Sequence, residues 1–225
     1  MITMETKIKV FGRITNFEEE PLKGAIVRLL NDQFEDIYNT FTDEEGNYEL
    51  FVQKGLYYTF YACKDYNINY LEYWAWNLPL FNDIELNAKI DGLEVYTLTA
   101  FRIKQGFPQL MLYFRPMSLK RAKILNQTAD LLNDTEIINI SPDLSKDDIK
   151  VTINNEASEI YEINKVLEYG GNNQRIYSYL IHVSTNKVLN AYDYNRIDIK
   201  LFDKETMEQG EGTLFWKEDR TIGSQ

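Results

Sequence analysis

Apolar and polar residues alternate along most of this chain, and a period of two is typical of half-buried β-strands. The runs Lys7–Ile14 and Gly24–Leu30 show this alternation. It continues through four further runs: Leu56–Cys63, Tyr66–Trp76, Ile84–Ile90 and Leu93–Phe101. None of these runs keeps the 3.6-residue period of a helix. We therefore predict an antiparallel β-sandwich for this part of the chain.

An acidic turn interrupts the alternation between two of the runs. Three acidic residues precede Gly46, and glycine readily adopts the positive φ that tight turns need. Apolar residues return at alternate positions after this glycine. The segment Phe41–Val52 is therefore predicted to be a hairpin of two strands.

Four motifs occur in a fixed order in this region. They are Gly12-x-Ile14, Pro21-Leu22-x-Gly24-Ala25-x-Val27-x-Leu29, Thr42-Asp43-x-x-Gly46-x-Tyr48-x-Leu50 and Gly55-x-Tyr57. With these motifs, residues 1–103 resemble the carboxypeptidase regulatory-like domain, a transthyretin-like β-sandwich. The resemblance implies a supporting module, because in carboxypeptidases such a domain packs beside the catalytic unit and does not perform the chemistry.

A glycine and a proline in the segment Arg102–Pro108 lie between two apolar regions and predict a domain boundary. Beyond it the alternating runs resume, and their spacing resembles that of an immunoglobulin-like β-sandwich over residues 108–220. These runs are Leu110–Phe114, Ile149–Ile153, Ile160–Val166, Ile176–Val183, Ile197–Phe202 and Gly212–Trp216. The predicted fold is therefore all-β, with two antiparallel β-sandwich domains.

One short helix is expected in the second domain, over residues 118–133. Its apolar residues lie three or four positions apart, as on one face of a helix, and Ser118 precedes them as an N-cap. These residues are Leu119, Ala122, Leu125, Ala129 and Leu132.

The charge balance argues against nucleic acid as a partner. Asp and Glu number 35 against 24 Lys and Arg, a net charge of −11, and so negative a chain repels phosphate backbones. Cys63 and His182 are the only residues of their types, which excludes zinc or iron sites that need several such ligands. No metal ion and no cofactor is therefore predicted.

The segment Met1–Lys9 lacks the apolar run of an export signal. We therefore expect a cytoplasmic protein, or an extracellular one if a signal has been removed. No stretch approaches the roughly 20 apolar residues of a membrane helix, so no membrane span is predicted. The pattern leaves the oligomeric state open.

Catalysis by a hydroxyl or thiol nucleophile would need His182, because the chain has no other imidazole. His182 lies inside the predicted strand Ile176–Val183, where a histidine is ordinarily structural. Cys63 ends an aromatic strand and is expected to be a small buried side chain. We therefore predict no catalytic residue and no enzyme, and we keep a hydrolase that uses His182 as a third alternative.

An aromatic run is the strongest candidate for a ligand site. In an extended strand, alternate residues point the same way, so Tyr66, Tyr70, Trp74 and Trp76 would share one face. Aromatic faces stack on sugar rings, and polar neighbours bind hydroxyls. The alternative is packing in the core or between the two domains. The predicted ligand-binding residues are Tyr70, Glu72, Tyr73, Trp74, Trp76 and Asn77, and Pro79 is expected to end this strand.

The leading hypothesis is a non-catalytic binding module for a carbohydrate or protein partner, with carbohydrate bound by the aromatic run. The second hypothesis is a structural or assembly protein, whose sandwich edges and aromatic surface join it to a larger complex. The solvent exposure of Trp74 and Trp76 separates a binding face from core packing.

Overall fold

The computed structural model describes residues 7–103, 109–128, 140–171, 174–185 and 189–218. Most of these residues are in strands, and the helices are one α-helix, α1 (Leu119–Thr128), and a short 3-10 helix, Lys146–Asp148. The prediction of an all-β fold with one short helix is confirmed. The strands are β1 (Lys7–Thr15), β2 (Ile26–Leu30), β3 (Asp36–Phe41), β4 (Asn47–Gln53), β5 (Gly55–Cys63), β6 (Tyr73–Leu80), β7 (Ile84–Glu85), β8 (Ala88–Lys89), β9 (Leu93–Phe101), β10 (Gln109–Ser118), β11 (Ile149–Ile153), β12 (Glu156–Ser158), β13 (Ile160–Gly171), β14 (Gln174–Ser184), β15 (Asn195–Asp203) and β16 (Glu208–Trp216).

The strands form three sheets. The N-terminal sheet has the order β4-β1-β7, and β8 also pairs with β1. The central sheet has eight strands, in the order β12-β11-β15-β16-β6-β5-β2-β3, and the C-terminal sheet has the order β13-β14-β10-β9. Within the central sheet, β16 pairs in parallel with β6 through residues Gly212–Leu214 and Trp74–Trp76. This pairing joins the two halves of the chain.

Two hydrophobic cores lie on opposite faces of the central sheet. Tyr73 and Ala75 of β6 pack in the first core, together with apolar residues of the N-terminal sheet. Trp74 and Trp76 pack in the second core, together with apolar residues of the C-terminal sheet. Successive residues of a strand point to opposite faces, so the central sheet separates the two cores.

The two cores do not coincide with the expected domains, residues 1–103 and 108–220. Strand β9, expected in the first domain, pairs with β10 in the C-terminal sheet, and its Leu93 and Val95 lie in the second core. Conversely, Phe215 of β16 lies in the first core. The chain therefore passes from the first core to the second before β9, and the central sheet contributes side chains to both cores.

The acidic turn after β3 joins two sheets. Strand β3 pairs with β2 in the central sheet, whereas β4 pairs with β1 in the N-terminal sheet. The predicted hairpin Phe41–Val52 is therefore wrong in its pairing, although Gly46 has the expected positive φ, 77°. A Cβ at Gly46 would lie 2.5 Å from the carbonyl oxygen of Ile14, so this crossing between layers needs a glycine.

The aromatic run is not one continuous strand. Tyr66 and Tyr70 are joined by an isolated bridge within a turn. In this turn Asp65 and Asn67 have φ values of 46° and 61°, which residues of these two types tolerate. The four aromatic residues predicted to share a face are therefore divided between a turn and β6, which begins at Tyr73.

Pro79 lies within β6 and does not end it. The strand continues to Leu80, and Pro79 is opposite Leu56 of β5. Strand β16 pairs only with residues Trp74–Trp76 of β6. Pro79 therefore lies beyond the point where β6 has two neighbours, and a missing N–H is tolerated on such an open side.

The helix begins where it was predicted. The backbone N–H of Arg121 donates to Oγ of Ser118 at 3.2 Å, which makes Ser118 an N-cap. The expected helical positions Ala129 and Leu132 lie outside the described residues.

Candidate binding site

Three of the predicted ligand residues, Tyr73, Trp74 and Trp76, are buried, with exposed fractions of 1%, 5% and 5%. The hydroxyl of Tyr73 donates to Oγ1 of Thr213 at 2.7 Å. The rings of Trp74 and Trp76 stack with their centroids 5.3 Å apart and 17° between their planes. These side chains present no face to a ligand, so the alternative of core packing describes them.

The other three predicted ligand residues differ in their burial. Tyr70 is half-buried against the first core, Glu72 is half-buried, and Asn77 is exposed. The structure therefore does not bring the six predicted residues into one site. Asn77 alone among the six is exposed to solvent.

Phe34 covers the tryptophan pair. It lies in the turn between β2 and β3 with a φ of 61°, a left-handed conformation that bulky residues rarely adopt. Its ring meets Trp74 and Trp76 edge-on, with centroid distances of 6.0 and 6.4 Å, and meets Tyr58 at 5.8 Å. Edge-to-face contacts of this kind are favourable. Phe34, itself 43% exposed, thus separates the two tryptophan rings from solvent.

A buried carboxyl group, Glu94, lies beside the same pair. Nε1 of Trp74 donates to Oε1 of Glu94 at 2.9 Å. Burial, reinforced by the nearby charge of Glu72, raises the pKa of Glu94 to about 8. Burial also raises the pKa of Glu72. The carboxyl group of Glu94 therefore belongs to the interior around the tryptophans, and Glu72 lies at the edge of this interior.

The alternation of β6 shifts by one residue at Asn77. Tyr73 and Ala75 face the first core, and so do Leu78 and Leu80. One residue is therefore extra, and Asn77 accommodates it with a φ of 59°. A bulge of this kind turns a side chain away from the direction that strict alternation would give it.

The facing part of β5 is irregular at the same place. Tyr57 and Phe60 both face the first core, although strict alternation would put residues an odd number apart on opposite faces. Strands β5 and β6 pair on both sides of Tyr58 and Asn77 but not through them. As a result Tyr58 is 40% exposed, and it lies next to Asn77 at the surface.

Tyr58 and Asn77 line a cleft of about 880 Å³, which we call the Asn77 cleft. Its walls come from β5, β6, β9, the segment before β15 and the end of β16. Rings and a few polar groups line it, a composition common in small-molecule sites. The aromatic and polar lining includes Tyr58, Asn77, Tyr192, Tyr194, Trp216 and Glu218.

A buried asparagine, Asn195, holds the wall that carries Tyr192 and Tyr194. Its Oδ1 accepts a hydrogen bond from the N–H of Asn190 at 2.6 Å, and its Nδ2 donates to the carbonyl oxygen of Asn190 at 2.9 Å. Nδ2 of Asn154 donates to Oδ1 of Asn195 at 2.9 Å. This network fixes the segment from which Tyr192, 77% exposed, reaches the surface.

Sequence reasoning missed Tyr58 and Tyr192 as ligand-site residues. Tyr58 lies in a predicted strand, and only the irregular pairing of β5 with β6 exposes it beside Asn77. Tyr192 lies between predicted strands, and nothing in the local pattern places it near β5. The adjacent tyrosines at 57 and 58 were the one available signal, because they put an aromatic ring on each face of the strand.

The two residues considered for nucleophilic catalysis have structural surroundings. His182 is half-buried in β14, between β10 and β13, and among the described residues it makes no hydrogen bond with a hydroxyl or carboxylate. Cys63 is 1% exposed, and burial raises the pKa of its thiol to about 12. The hydrolase alternative therefore has no nucleophile beside His182 in the described part of the chain.

The described ranges contain neither a cluster of metal ligands nor a membrane-spanning helix. No group of three His, Cys, Asp or Glu side chains in them could hold a metal ion. No helix in these ranges is long and apolar enough to cross a membrane.

Comparison with known proteins does not show a family. No family model matches the sequence, and no curated protein matches it. The resemblance to the carboxypeptidase regulatory-like domain therefore stays a prediction.

Solved structures are similar to this chain only distantly. A "putative carbohydrate binding protein" from Bacteroides uniformis is 10% identical, with a TM-score of 0.31 over 94% of this chain and 99% of its own. A DUF3823 family protein from Bacteroides ovatus is 8% identical, with a TM-score of 0.28 over 93% and 98%. The major pilin SpaD from Corynebacterium diphtheriae is 11% identical, with a TM-score of 0.29 over 95% and 65%. Similarities this low carry no argument about function.

Proposed function

We propose that this chain is a non-catalytic binding module that holds a carbohydrate in the Asn77 cleft. The observation that carries the proposal is the exposed aromatic wall beside an exposed amide: Tyr192 and Tyr58 are 77% and 40% exposed. Such rings pack against the apolar faces of sugar rings, and the amide of Asn77 both donates to and accepts from hydroxyls. Asn77 is the one predicted ligand residue that this proposal keeps.

The charges around the cleft favour a neutral sugar. The carboxylate of Glu218 lies 3.7 Å from the guanidinium of Arg102. Nζ of Lys217 lies 5.5 Å from the ring centroid of Tyr194, a cation–π contact. Each charge therefore has a local contact, and the described lining of the cleft presents no cluster of like charges that would select a charged ligand.

Replacement of Tyr192 by alanine tests the proposal. A glycan array first identifies a saccharide that binds the unchanged chain, and calorimetry then measures its affinity. We expect Tyr192→Ala to weaken binding about tenfold, or ~1.4 kcal/mol, because an aromatic contact with the sugar is lost.

Tyr169→Ala is the matched control. Tyr169 is also 77% exposed but lies on β13, outside the Asn77 cleft, so its replacement should leave the affinity unchanged. If no saccharide binds, or if both variants lose affinity equally, the proposal is wrong.

A second candidate function, assembly with further copies, is favoured by β3. This strand lies at one edge of the central sheet, and its Ile37 and Phe41 are 45% and 62% exposed. An edge strand with exposed apolar residues offers hydrogen-bonding groups and apolar surface to another chain. We expect light scattering to show a mass above that of one chain, and Phe41→Lys to restore the single chain. A single chain at high concentration before any substitution would contradict this function.

A further inference from the structure

A larger cavity lies apart from the Asn77 cleft. It is a groove of about 1120 Å³ that shares no lining residue with that cleft. Its floor comes from β15, β16 and β6, and one wall comes from β1, β7 and β8 of the N-terminal sheet. We call it the Arg196 groove.

The alternation of β15 makes the floor of this groove polar. Ile197 and Ile199 face the second core. Arg196, Asp198 and Lys200 therefore point to the opposite face, and all three line the groove. One strand thus brings two cationic groups and one carboxylate to the same surface.

The carboxylates of the floor already have partners. Oδ1 of Asp198 accepts hydrogen bonds from Oγ1 of Thr213 at 2.6 Å and from Nε of Arg196 at 2.9 Å. Oε2 of Glu211 lies 3.2 Å from Nζ of Lys200. Burial raises the pKa of Glu211, which favours its neutral form. The repulsion that these groups would exert on an incoming anion is therefore reduced.

Arg196 keeps donor groups for a ligand. Its Nε is held by both oxygens of Asp198, at 2.9 and 3.0 Å, which orients the guanidinium plane. Its terminal amino groups make no hydrogen bond with another described residue, and its side chain is 33% exposed. A guanidinium held in this way matches the two coplanar oxygens of a carboxylate.

We propose that the Arg196 groove binds a carboxylate, whose two oxygens accept hydrogen bonds from the terminal amino groups of Arg196. Lys200 lies four residues further along the same face of β15, with a side chain 54% exposed, and adds a second positive charge to the floor of the groove. A small free carboxylate and the uronic acid unit of a saccharide share this chemistry. The inference does not depend on ligand binding in the Asn77 cleft.

Amide chemical shifts of the full chain, measured by NMR with three probes, test the proposal and distinguish the two sources. Acetate carries the carboxylate alone, glucuronate carries it on a sugar ring, and glucose has the ring without the acid. We expect glucuronate to shift the amide resonances of β15 and β16, and glucose to leave them unchanged. The same shifts with acetate would show that a free carboxylate suffices, whereas their absence would assign the site to a sugar acid. If neither acid shifts them, or if glucose shifts them equally, the proposal is wrong.

Arg196→Lys isolates the contribution of the guanidinium, because lysine keeps the charge but loses the planar pair of donors. We expect the affinity for glucuronate to fall about tenfold, since charge-assisted hydrogen bonds are among the stronger ones. Arg28→Lys is the control: this arginine lies on β2, its Nε is 3.6 Å from Oδ1 of Asp36, and its side chain is 37% exposed, close to the exposure of Arg196. Arg28→Lys should leave the affinity for glucuronate unchanged.

Lys200→Gln gives a second readout if Arg196→Lys does not fold. Its exposed side chain tolerates the change, and loss of the second cation should weaken glucuronate binding about threefold. Unchanged affinity in every folded groove variant, or an equal loss in Arg28→Lys, would overturn the assignment.

Discussion

Glu94 shows how packing sets the charge state of one residue. It is 1% exposed, and its best-defined partner is the indole N–H of Trp74. An indole donor stabilises a carboxylate far less than bulk water does, so burial dominates and the pKa rises to about 8. The group is therefore largely neutral in the folded chain at pH values where it is ionised in the unfolded chain.

This difference predicts the effect of Glu94→Gln. A raised pKa in the folded state contributes stability that is complete below the unfolded pKa, near 4.5, and is lost as the pH rises through about 8. Glutamine keeps an acceptor for Trp74 and never ionises. We expect the variant to be more stable than the unchanged chain by up to ~5 kcal/mol near pH 9 and by less than ~1 kcal/mol near pH 5.

Urea unfolding across this pH range measures that difference in free energy of unfolding. Glu49→Gln is the control, because it makes the same change at a side chain that is 57% exposed, where burial does not act. If the free energy of unfolding of Glu94→Gln exceeds that of the unchanged chain by the same amount at pH 5 and at pH 9, burial does not set the charge state of Glu94.

Single residues also show what the sequence could predict. Tyr48, Leu50 and Val52 alternate in β4 and are all buried, because a period of two directly determines which residues share a face. The burial of Trp74 and Trp76 could not be predicted in this way. Alternation places them on one face, but whether another layer covers that face depends on β9 and on Phe34, which are distant in sequence.

At the scale of elements, the turn between β2 and β3 combines two opposing effects. Phe34 adopts a left-handed φ, which costs a residue with a Cβ about 1 kcal/mol, and its ring packs on the tryptophan pair. Asn31 holds the turn by accepting three hydrogen bonds. Its carbonyl oxygen accepts one from the N–H of Phe34, and its Oδ1 accepts one each from the N–H groups of Gln33 and Glu35. The turn therefore does not depend on the phenyl ring for its shape.

Phe34→Gly should keep this turn and uncover the tryptophans. Glycine relieves the backbone strain while the ring contacts are lost, so we expect the free energy of unfolding to change by less than ~1 kcal/mol. Quenching of tryptophan fluorescence by acrylamide should increase, because Trp74 and Trp76 gain access to solvent.

Phe81→Gly is the matched control for this prediction. Phe81 is 46% exposed, close to the 43% of Phe34, and it has no ring contact with the tryptophans among the described residues. Unchanged quenching in Phe34→Gly, or an equal increase in both variants, would contradict the covering role of Phe34.

The elements themselves were easier to predict than their partners. The runs that correspond to β1, β2, β5 and β9 are clear in the sequence, because apolar residues recur at alternate positions over much of each. The pairing of β3 was mistaken, because the acidic turn is equally compatible with a hairpin and with a crossing between layers. The bulge at Asn77 had no signal in the local alternation, and the shape of the candidate cleft depends on it.

At the scale of the whole molecule, the central sheet makes the two cores interdependent. Strand β16 lies between β15 and β6, and its Leu214 and Phe215 contribute to the second and first cores. A strand that serves both cores cannot leave one without disturbing the other. We therefore expect the chain to unfold in one transition, with equal calorimetric and van't Hoff enthalpies.

Gly212→Ala tests this coupling. A Cβ at Gly212 of β16 would lie 2.9 Å from Cβ of Val95, so the substitution forces β16 away from β9 and should cost ~1–3 kcal/mol. Because both cores use β16, the single transition should move to a lower temperature as a whole. Gly55→Ala is the control, since its Cβ would meet nothing nearer than 3.8 Å. Separation of the transition into two steps in Gly212→Ala would show that the cores are independent.

The hydrogen bond between Tyr73 and Thr213 joins residues 140 positions apart. During synthesis at roughly 5–20 residues per second, β6 would therefore emerge from the ribosome on the order of ten seconds before its parallel neighbour. Throughout that interval one edge of β6 in the growing polypeptide lacks its hydrogen-bonding partner. Nascent chains of this protein should consequently be clients of chaperones that recognise unpaired apolar strands, until the late strand arrives and completes the sheet.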